Sequence, residues 1–366
     1  METVSHPPSV SMHPVGTPQW LASTQEEILE ADLPIIDPHH HLWGPPRGHY
    51  LRDDMLADAC SGHNIVATVF AECSERYRTK GPSDFLPVGE TEFVAEQAGT
   101  AADGPGAGVA FCAGIMGYAD LCTGARVRDI LEAHIDAGRG RFRGIRQSTV
   151  WDPSGQVRTT ARTPPPRLLY EPSLREGFAE LAPLGLSFDA WLYYHQLGDL
   201  ADLAKAFPDT TIVLDHVGGV VGIGPYAGKR DEVFHEWSQG INRLAQYENV
   251  VVKLGGLGMP LCGFDFHQRP RAPSSQELAE AWRPYLVTCI EQFGPTRAMF
   301  ESNFPVDKAS CSYPVLWNAF KRIAQDLSAS EKADLFHRTA ARVYRLELPE
   351  APTPEPPVSG GAAPEA

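Results

Sequence analysis

The sequence predicts an α/β fold built as one (β/α)8 barrel. Short β-branched runs alternate with segments of helical periodicity, and eight such alternations follow one another along the 366 residues. This alternation is typical of parallel strands connected by helices. A barrel of this kind commonly exceeds about 250 residues, so a single domain accounts for the length.

Eight strands are predicted from runs rich in Val, Ile and Phe, bounded by turn residues. They cover residues 33–37, 65–71, 109–115, 142–147, 186–192, 211–215, 250–254 and 298–302. Helices are predicted at 51–62, 88–99, 124–138, 172–184, 196–207, 229–246, 274–293, 313–326 and 329–345. No Gly-x-Gly-x-x-Gly follows the first strand, which speaks against a dinucleotide-binding fold. The glycine-rich DGPGAG at 103–108 lacks a Walker lysine and is predicted to be a turn.

The two ends of the chain are predicted to be flexible tails. Residues 1–30 and 347–366 are rich in Pro, Ser and Ala and have too little apolar content to pack. The barrel domain is therefore predicted to span 31–346.

Composition excludes several classes of protein. The chain has 31 Lys and Arg and 46 Asp and Glu, and its formal charge of −15 repels nucleic acid and anionic membranes. No apolar run reaches the roughly 18 residues that a membrane span requires, and the first residues do not resemble a signal peptide. The seven cysteines are scattered without a Cys-x-x-Cys pair, which indicates reduced thiols. We expect a cytoplasmic protein.

The first strand ends in a run of three histidines, PIIDPHHHLW. Reactive groups of a parallel barrel lie at the carboxyl ends of its strands. Side chains alternate along a strand, so His39 and His41 are predicted on one face and His40 on the other. Two imidazoles at this spacing can bind one metal ion.

Three further strand ends place polar side chains at the same rim, namely Glu72, His195 and His216. Each of them alone could be an ordinary buried residue with its hydrogen bonds made. Together with the histidine pair, they would be costly to desolvate unless a cation joined them. The mixture of nitrogen and oxygen ligands suits zinc, iron or manganese better than calcium or magnesium.

Five segments between about residues 33 and 346 carry a family resemblance. They are DPHHHLW, FRGIRQSTVWDP, IVLDHVGG, VVVKLGG and MFESNFPVDK. With these segments the chain resembles the amidohydrolase-related branch of the amidohydrolase superfamily, which includes sugar lactonases. The resemblance implies a distorted (β/α)8 TIM barrel, with His39, His41, His195 and His216 as metal ligands.

The sequence departs from the superfamily pattern at two strand ends. After strand eight, Asn303 stands where hydrolases of this superfamily place the aspartate that accepts a proton from water, and an amide cannot be that base. Strand four has no lysine to bridge two metals, so Glu72 is the expected replacement. Asp307 could serve as the base if its loop folds inward. We therefore predict catalytic roles for Glu72, His195, Asn303 and Asp307, with Asn303 also a metal ligand.

This histidine-rich site without a dedicated base resembles the amidohydrolase-fold non-haem diiron monooxygenases, such as those that hydroxylate platensimycin-type diterpenoids and 2-aminoisobutyrate. The resemblance implies two iron ions, dioxygen, an electron donor, and hydroxylation of a C–H bond in a small organic acid or thioester. A zinc-dependent or manganese-dependent hydrolase or lactonase is the alternative. A second alternative is a scaffold subunit of a two-component enzyme, and either a homo- or a hetero-oligomer is compatible with the fold.

Residues near the strand ends are predicted to contact the substrate. Arg146 could bind a substrate carboxylate, although a salt bridge inside the barrel explains an arginine there equally well. Asp37 is expected to orient a metal-bound imidazole. Four aromatic residues are predicted to wall the pocket, although each could equally be packing: Trp43, Tyr77, Trp151 and Tyr194.

Overall fold

The computed structural model describes residues 16–99, 106–157 and 164–347. Its eight parallel strands pair in chain order, which confirms the (β/α)8 barrel. The tails at 1–15 and 348–366 and residues 103–105 of the predicted glycine-rich turn lie outside the described residues. The strands are β1 Ile35–His40, β2 Ile65–Ala71, β3 Ala110–Gly117, β4 Phe142–Ser148, β5 Ser187–Trp191, β6 Ile212–Leu214, β7 Val250–Leu254 and β8 Ala298–Phe300.

Helices follow the strands and form the outer layer of the barrel. They are α1 Pro18–Leu21, α2 Arg52–Ala59, α3 Val88–Gln97, α4 Val127–Ala137, α5 Pro172–Phe178, α6 Leu197–Ala206, α7 His216–Gly219, α8 Arg230–Ala245, α9 Ser275–Phe293, α10 Tyr313–Ile323, α11 Ala329–Ala333 and α12 Thr339–Val343. Within the described ranges, none of these helices is long and apolar enough to cross a membrane.

Two predicted helices are shorter or more broken than the sequence indicated. The helix predicted over 172–184 ends at Phe178, and the chain continues as a 3-10 turn at Ala182–Leu184 that includes Pro183. Proline lacks the N–H that would continue the helix and clashes with the preceding turn. The helix predicted over 329–345 is interrupted by a π-helical turn at Asp334–Arg338.

The barrel is closed by the chain that follows β8 rather than by β8 itself. The N–H of Asn303 donates to the carbonyl of His39 at 2.9 Å, and the N–H of His41 donates to the carbonyl of Phe304 at 2.8 Å. Asp37 strengthens this junction, because its Oδ1 accepts from the N–H of Ser302 at 3.0 Å. The first metal-ligand candidates thus lie in the backbone junction that closes the barrel.

The interior of the barrel changes from apolar to charged toward the carboxyl ends of the strands. Val213 on β6, Val251 on β7 and Met299 on β8 belong to an apolar cluster that also includes Tyr344, the residue after α12. The residues two positions further along the chain are charged and fully buried, namely Asp215, Lys253 and Glu301. Successive residues on one face of a strand are two apart, so the charged residues form the next layer.

The prediction of a flexible tail over 1–30 is wrong for residues 16–30, which pack on the barrel. The carboxylate of Glu26 accepts from the N–H of Ser275 at 2.7 Å, at the start of α9. The N–H of Leu29 donates to Asn318 Oδ1 on α10 at 2.9 Å. The composition of this segment could not reveal these contacts, because they join it to helices about 250 residues away.

Candidate metal centre

Two histidines from β1 meet as the alternation along the strand predicted. The Nε2 atoms of His39 and His41 lie 3.3 Å apart, and both residues are buried. His40 points to the other side, where its Nε2 lies 3.0 Å from Thr68 Oγ1. Nitrogens bound to one tetrahedral zinc at about 2.0–2.1 Å are about 3.3 Å from each other, so this spacing fits a shared metal ion.

His216, at the start of α7 after β6, and Glu301, directly after β8, complete the cluster. One potential ligand atom from each of His39, His216 and Glu301 lies within 4.8 Å of the other two, so these side chains could hold one metal ion. His216 Nδ1 lies 2.7 Å from Glu301 Oε1, and His39 Nδ1 lies 3.0 Å from Glu301 Oε2. The rings of His39 and His216 have centroids 4.6 Å apart. His39, His216 and Glu301 converge at the end of the barrel where reactive groups are expected.

Burial keeps these imidazoles neutral, which is the form that binds a metal. Burial lowers the pKa of His39 to about 4, with the nearby Lys253 charge adding to the effect. Burial likewise lowers the pKa of His216 to about 3 and holds the pKa of His41 well below its usual value. Neutral nitrogens with free lone pairs at physiological pH are suitable ligands.

A buried ionic network lies beneath the histidines. Lys253 Nζ contacts Asp189 Oδ2 at 2.6 Å and Asp215 Oδ1 at 3.1 Å, and it also lies 3.0 Å from His39 Nδ1. Arg146 pairs with Asp215 at 2.8 Å and with Glu72 at 3.1 Å. Counting Glu301 with the other three acids gives four carboxyl groups against two cations. The excess of negative charge suits a site for a divalent cation, because unbalanced buried charge is costly.

Strained backbone marks the same region. His216 and Val217 have φ angles of 55° and 48°, and Asn303 has a φ of 53°. Such left-handed conformations are uncommon for residues with a side chain, and they tend to cluster at functional sites. The strain supports the assignment of this rim as the functional site.

His195 does not join the cluster, contrary to the sequence prediction. Strand β5 ends at Trp191, and His195 lies beyond it in the 3-10 turn Tyr194–Gln196. Its Nε2 is 2.7 Å from the carbonyl of Trp151, and its Nδ1 finds no hydrogen-bond partner among the described residues. The predicted strand ends within one residue of β5, but the turn that follows β5 directs the His195 ring toward the carbonyl of Trp151 and the rings of Tyr194 and Tyr226.

Glu72, Asn303 and Asp307 are all buried and form hydrogen bonds or ion pairs with other protein groups. Glu72 binds Arg146, and burial raises the pKa of Glu72 while Arg146 opposes that rise. Asn303 Nδ2 donates to Asp307 Oδ1 at 2.8 Å, and its role as a ligand through Oδ1 stays a prediction. The loop after β8 does fold inward, and Asp307 Oδ2 accepts from the N–H of Gly258 at 2.9 Å.

Asp37 and Arg146 occupy structural positions. Asp37 accepts from backbone N–H groups and from the Tyr313 hydroxyl at 2.9 Å, and it contacts no imidazole nitrogen in the described chain. The prediction that it orients a ring is therefore wrong: it orients backbone. Arg146 forms the barrel salt bridge that the sequence left as the alternative.

The predicted aromatic residues divide into two groups. Trp43 stacks on His41 with ring centroids 6.0 Å apart, beside the metal cluster. Tyr194 contacts His195 edge to face at 5.2 Å, and the backbone of Trp151 binds the same histidine. Tyr77 lies half-buried near Glu72 and Glu90, whose charges add to the effect of burial in raising its pKa. Of the four predicted aromatic residues, Trp43 is the one that contacts a candidate metal ligand, His41.

Sequence reasoning missed Glu301 and Lys253. Both stand in segments that the family resemblance used, MFESNFPVDK and VVVKLGG. A lysine inside an apolar strand and a glutamate directly after a strand were usable signals, because charged residues are rarely fully buried unless paired.

A parallel barrel with buried histidines and a carboxylate at the carboxyl ends of its strands defines a class of metal-dependent enzymes. The chain belongs to the amidohydrolase superfamily: the family model described as amidohydrolase matches residues 36–346. This match confirms the resemblance seen in the sequence.

Individual relatives extend over most of the chain. Protein y4mH of Sinorhizobium fredii, whose function is uncharacterized, is 36% identical over 341 residues and covers 86% of this chain and 100% of its own length. An L-fucono-1,5-lactonase of Burkholderia multivorans is 25% identical over 324 residues, covering 86% and 97%. The crystal structure of an amidohydrolase from Burkholderia multivorans with bound zinc matches with a TM-score of 0.62 at 24% identity, covering 86% and 99%. At that identity the structural likeness supports the fold alone.

Proposed function

We propose that this protein is a metal-dependent hydrolase that opens a lactone or cleaves a related carboxylic ester. The observation that carries the proposal is the pair of Nε2 atoms of His39 and His41, 3.3 Å apart, beside His216 and Glu301. The lactonase relative, which aligns over 86% of this chain, supports the choice of substrate class. It favours this alternative over the monooxygenase that the sequence first suggested.

The residues present fit a bound divalent ion of the zinc or manganese type. Neutral imidazoles and a carboxylate form a nitrogen-rich donor set, and the network beneath them has more acids than cations. Such an ion, when bound, supplies Lewis acidity toward a carbonyl and lowers the pKa of water. His39, His41 and His216 would hold it, and Trp43 would cover the His41 side of the pocket.

A group other than Asn303 must accept the proton of the attacking water, because an amide cannot act as a base. We propose Asp307 as the base, because burial raises its pKa to about 8, close to the pH at which a base must both accept and release a proton. Its two carboxylate oxygens accept from Gly258 and Asn303, so the side chain is held in place. For the transfer, the contact with Asn303 would open toward the substrate.

A test of the proposed function uses protein reconstituted with zinc or manganese and a panel of sugar 1,5-lactones and simple carboxylic esters. Ring opening releases a proton, which a pH indicator follows. We expect turnover that needs the metal and is lost in His216→Ala, whereas His235→Ala, an exposed histidine on α8, keeps it. Stoichiometric metal without turnover of any lactone or ester would contradict the proposal.

Asn303→Asp provides a second measurement. Asparagine and aspartate both tolerate the left-handed backbone at this position. If Asp307 is the base, Asn303→Asp removes the amide that donates to Asp307 and places a second carboxylate beside it, so the hydrolysis rate should not rise. A gain of about 100-fold, the lower end of the usual contribution of general-base catalysis, would contradict the role of Asp307 and place the base at position 303. Asn303→Ser, which also lacks a base, is the control and should show no gain.

Asn303 also favours a second candidate, the non-haem diiron monooxygenase. Its amide replaces the hydrolytic base, while Glu72 and Glu301 provide two buried carboxylates of the kind that iron sites use. Elemental analysis of protein from iron-supplemented culture tests this candidate. About two irons per chain, falling in Glu72→Ala, together with substrate-dependent dioxygen uptake, would support it. A single zinc that is indifferent to Glu72 would exclude it.

A further inference from the structure

We propose that a cavity between α8 and α9 binds a small organic carboxylate. In this assignment, Arg230 and the hydroxyl of Tyr285 bind the carboxylate group, and an apolar wall receives the rest of the molecule. The cavity is separate from the candidate metal centre, since none of the proposed metal ligands lines it. The assignment therefore goes beyond the proposed function and does not depend on it.

Two loops and two helices enclose the cavity, whose volume is about 240 Å³. Residues 220–228 follow α7, and residues 262–263 lie in the loop after β7. The volume lies between the roughly 150 Å³ of a cavity that binds benzene and the roughly 300 Å³ at which pockets for drug-sized ligands begin. A ligand a little larger than benzene therefore fits. The apolar part of the wall comes from Val220, Val221, Val233 and Cys262.

The two loops meet at a pair of glycines, and this contact forms one wall of the cavity. The N–H of Gly222 donates to the carbonyl of Leu261 at 2.9 Å. A Cβ at Gly222 would collide with the carbonyl oxygen of Cys262, and a Cβ at Gly263 would collide with that of Gly222. Because neither position has room for a side chain, the packing of the protein itself defines the wall.

The hydroxyl of Tyr285 is a buried donor without an acceptor. Tyr285 lines the cavity and is 2% exposed, and its oxygen makes no hydrogen bond within the described part of the chain. The ring is held edge to face by Phe234 and Trp237, with centroids 5.2 and 5.0 Å away. A buried hydroxyl without a partner costs free energy, and a bound acceptor removes that cost.

Arg230 supplies a positive charge that no acidic side chain neutralises. It is exposed at the start of α8, and no ion pair joins it to an Asp or Glu among the described residues. Its Nη2 donates to the carbonyl of Gly263 at 2.9 Å, and its guanidinium lies 4.1 Å from the centroid of the Phe264 ring. The hydrogen bond uses one of the five guanidinium N–H groups, so others remain for a ligand.

Arg230 and Tyr285 lie close to each other at the cavity. Burial raises the pKa of Tyr285, and the Arg230 guanidinium is near enough to oppose that rise. The hydroxyl has no hydrogen bond to Arg230, so both side chains keep donors for a shared acceptor. A carboxylate can accept from both at once, and its single negative charge matches one arginine better than the charge of a phosphate does.

The first test titrates the protein with benzoate and benzamide in a calorimeter, because the two probes share a shape and differ in charge. We expect benzoate to bind and benzamide to bind at least about 10-fold more weakly. Arg230→Met removes the charge and keeps a long side chain over Phe264. Benzoate affinity should then fall by roughly 10–100-fold, the usual contribution of a hydrogen bond to a charged group.

Arg243→Met is the matched control for Arg230→Met. Arg243 is an exposed arginine on the same helix, it pairs with Asp202, and it does not line the cavity. Its replacement should leave benzoate affinity unchanged. Absent benzoate binding, equal affinities for benzoate and benzamide, or equal affinities of Arg230→Met and the wild type would each overturn the assignment.

Tyr285→Phe removes the hydroxyl alone. Because this hydroxyl lacks a partner in the described chain, the Tm of the free protein should stay the same or rise. Benzoate affinity should fall by roughly 3–10-fold, the usual contribution of a neutral hydrogen bond. A lower Tm with unchanged benzoate affinity would mean that the hydroxyl serves the fold and would overturn its role in binding.

The position of the bound probe separates this site from the metal centre. Chelator-treated and zinc-loaded protein should bind benzoate equally well, since no candidate metal ligand lines the cavity. In a crystal soaked with benzoate, we expect the carboxylate oxygens within about 3.2 Å of Arg230 and of Tyr285 Oη. Benzoate bound only at the metal centre would overturn the assignment and leave the hydrolase proposal intact. Benzoate in the cavity of a protein that cleaves no lactone or ester would have the opposite meaning.

Discussion

His39 and His41 point their Nε2 atoms at each other across 3.3 Å, while the intervening His40 points to Thr68 on the opposite side. Of the three consecutive histidines, His39 and His41 face the candidate metal site and His40 does not. The chain therefore offers a matched pair of variants for testing the centre.

His41→Ala should lose more metal affinity than roughly the 10–100-fold typical of outer-shell changes, because it removes a ligand itself. His40→Gln can keep the hydrogen bond to Thr68 and should retain near wild-type affinity. Competition with a chromophoric zinc chelator measures both. Equal losses in the two variants would indicate a general effect of disturbing β1 and would argue against the shared ion.

Gly256→Ala should displace His216. An added Cβ at Gly256 would lie 2.5 Å from the Cβ of His216, and the backbone there has a φ of +70°. Gly140→Ala is the control, because its φ of +80° imposes similar strain while no atom of the described residues lies within 4 Å of the added Cβ. Both variants should lose about 1–2 kcal/mol of stability from the left-handed backbone.

Only Gly256→Ala should also lose metal affinity. Thermal unfolding with and without added zinc measures both effects, since a ligand that binds the folded state raises Tm. If zinc raises the Tm of the two alanine variants equally, the position of His216 does not depend on the absence of a side chain at Gly256.

Lys253→Met should reduce the free energy of unfolding by about 3–5 kcal/mol, because it leaves buried carboxylates without their cation. Asp215 keeps Arg146 as a partner, but Asp189 loses its ion pair. The double variant Lys253→Met/Asp189→Asn should recover part of the loss, since the asparagine can still accept from the Tyr344 hydroxyl. Urea unfolding of the four proteins forms a double-mutant cycle, and independent, additive losses would show that the pair is not coupled.

His134 should make the protein sensitive to acid, away from the metal centre. Burial lowers the pKa of His134 to about 4 from 6.5, and its ring is held by Thr91 and the carbonyl of Tyr118. Between pH 6.5 and about 4 the unfolded chain binds a proton that the folded chain excludes, so stability falls as the pH falls.

The contribution of His134 amounts to at most about 3 kcal/mol across this window. The variant His134→Gln has no ionisable group here and should show a shallower decline. Free energies of unfolding in urea, measured for both proteins across the window, give the comparison. Parallel curves would mean that other groups set the acid limit.

The sequence was sufficient for the barrel because each strand combines β-branched residues with clear turn signals, and the eight predicted strands correspond to β1–β8. It was sufficient for His39 and His41 because alternation along one strand fixes which side chains meet. Tertiary contacts decided the rest. Glu26 accepts from the first N–H group of α9 although its segment was predicted as a tail, and the turn after β5 directs His195 toward the carbonyl of Trp151.

The charged interior was the least predictable part of the site. Lys253, Asp189 and Asp215 come from three strands, and their mutual neutralisation depends on the register between those strands. Glu301, directly after β8, meets His39 from β1 and His216 from the segment after β6, and a sequence does not show that these three positions approach one another. The cytoplasmic location, the oligomeric state and the partners stay predictions.

The junction that closes the barrel runs through Asn303 and His41, whose backbone N–H groups span from the end of β8 to β1. The same few residues decide which chemistry the rim can perform. Evolution of a new activity at position 303 is thus confined to side chains that accept a φ of 53° and leave this N–H in place. A substitution at position 303 therefore affects both barrel closure and the chemistry of the rim. Fewer substitutions at this position can change the reaction without also reducing stability.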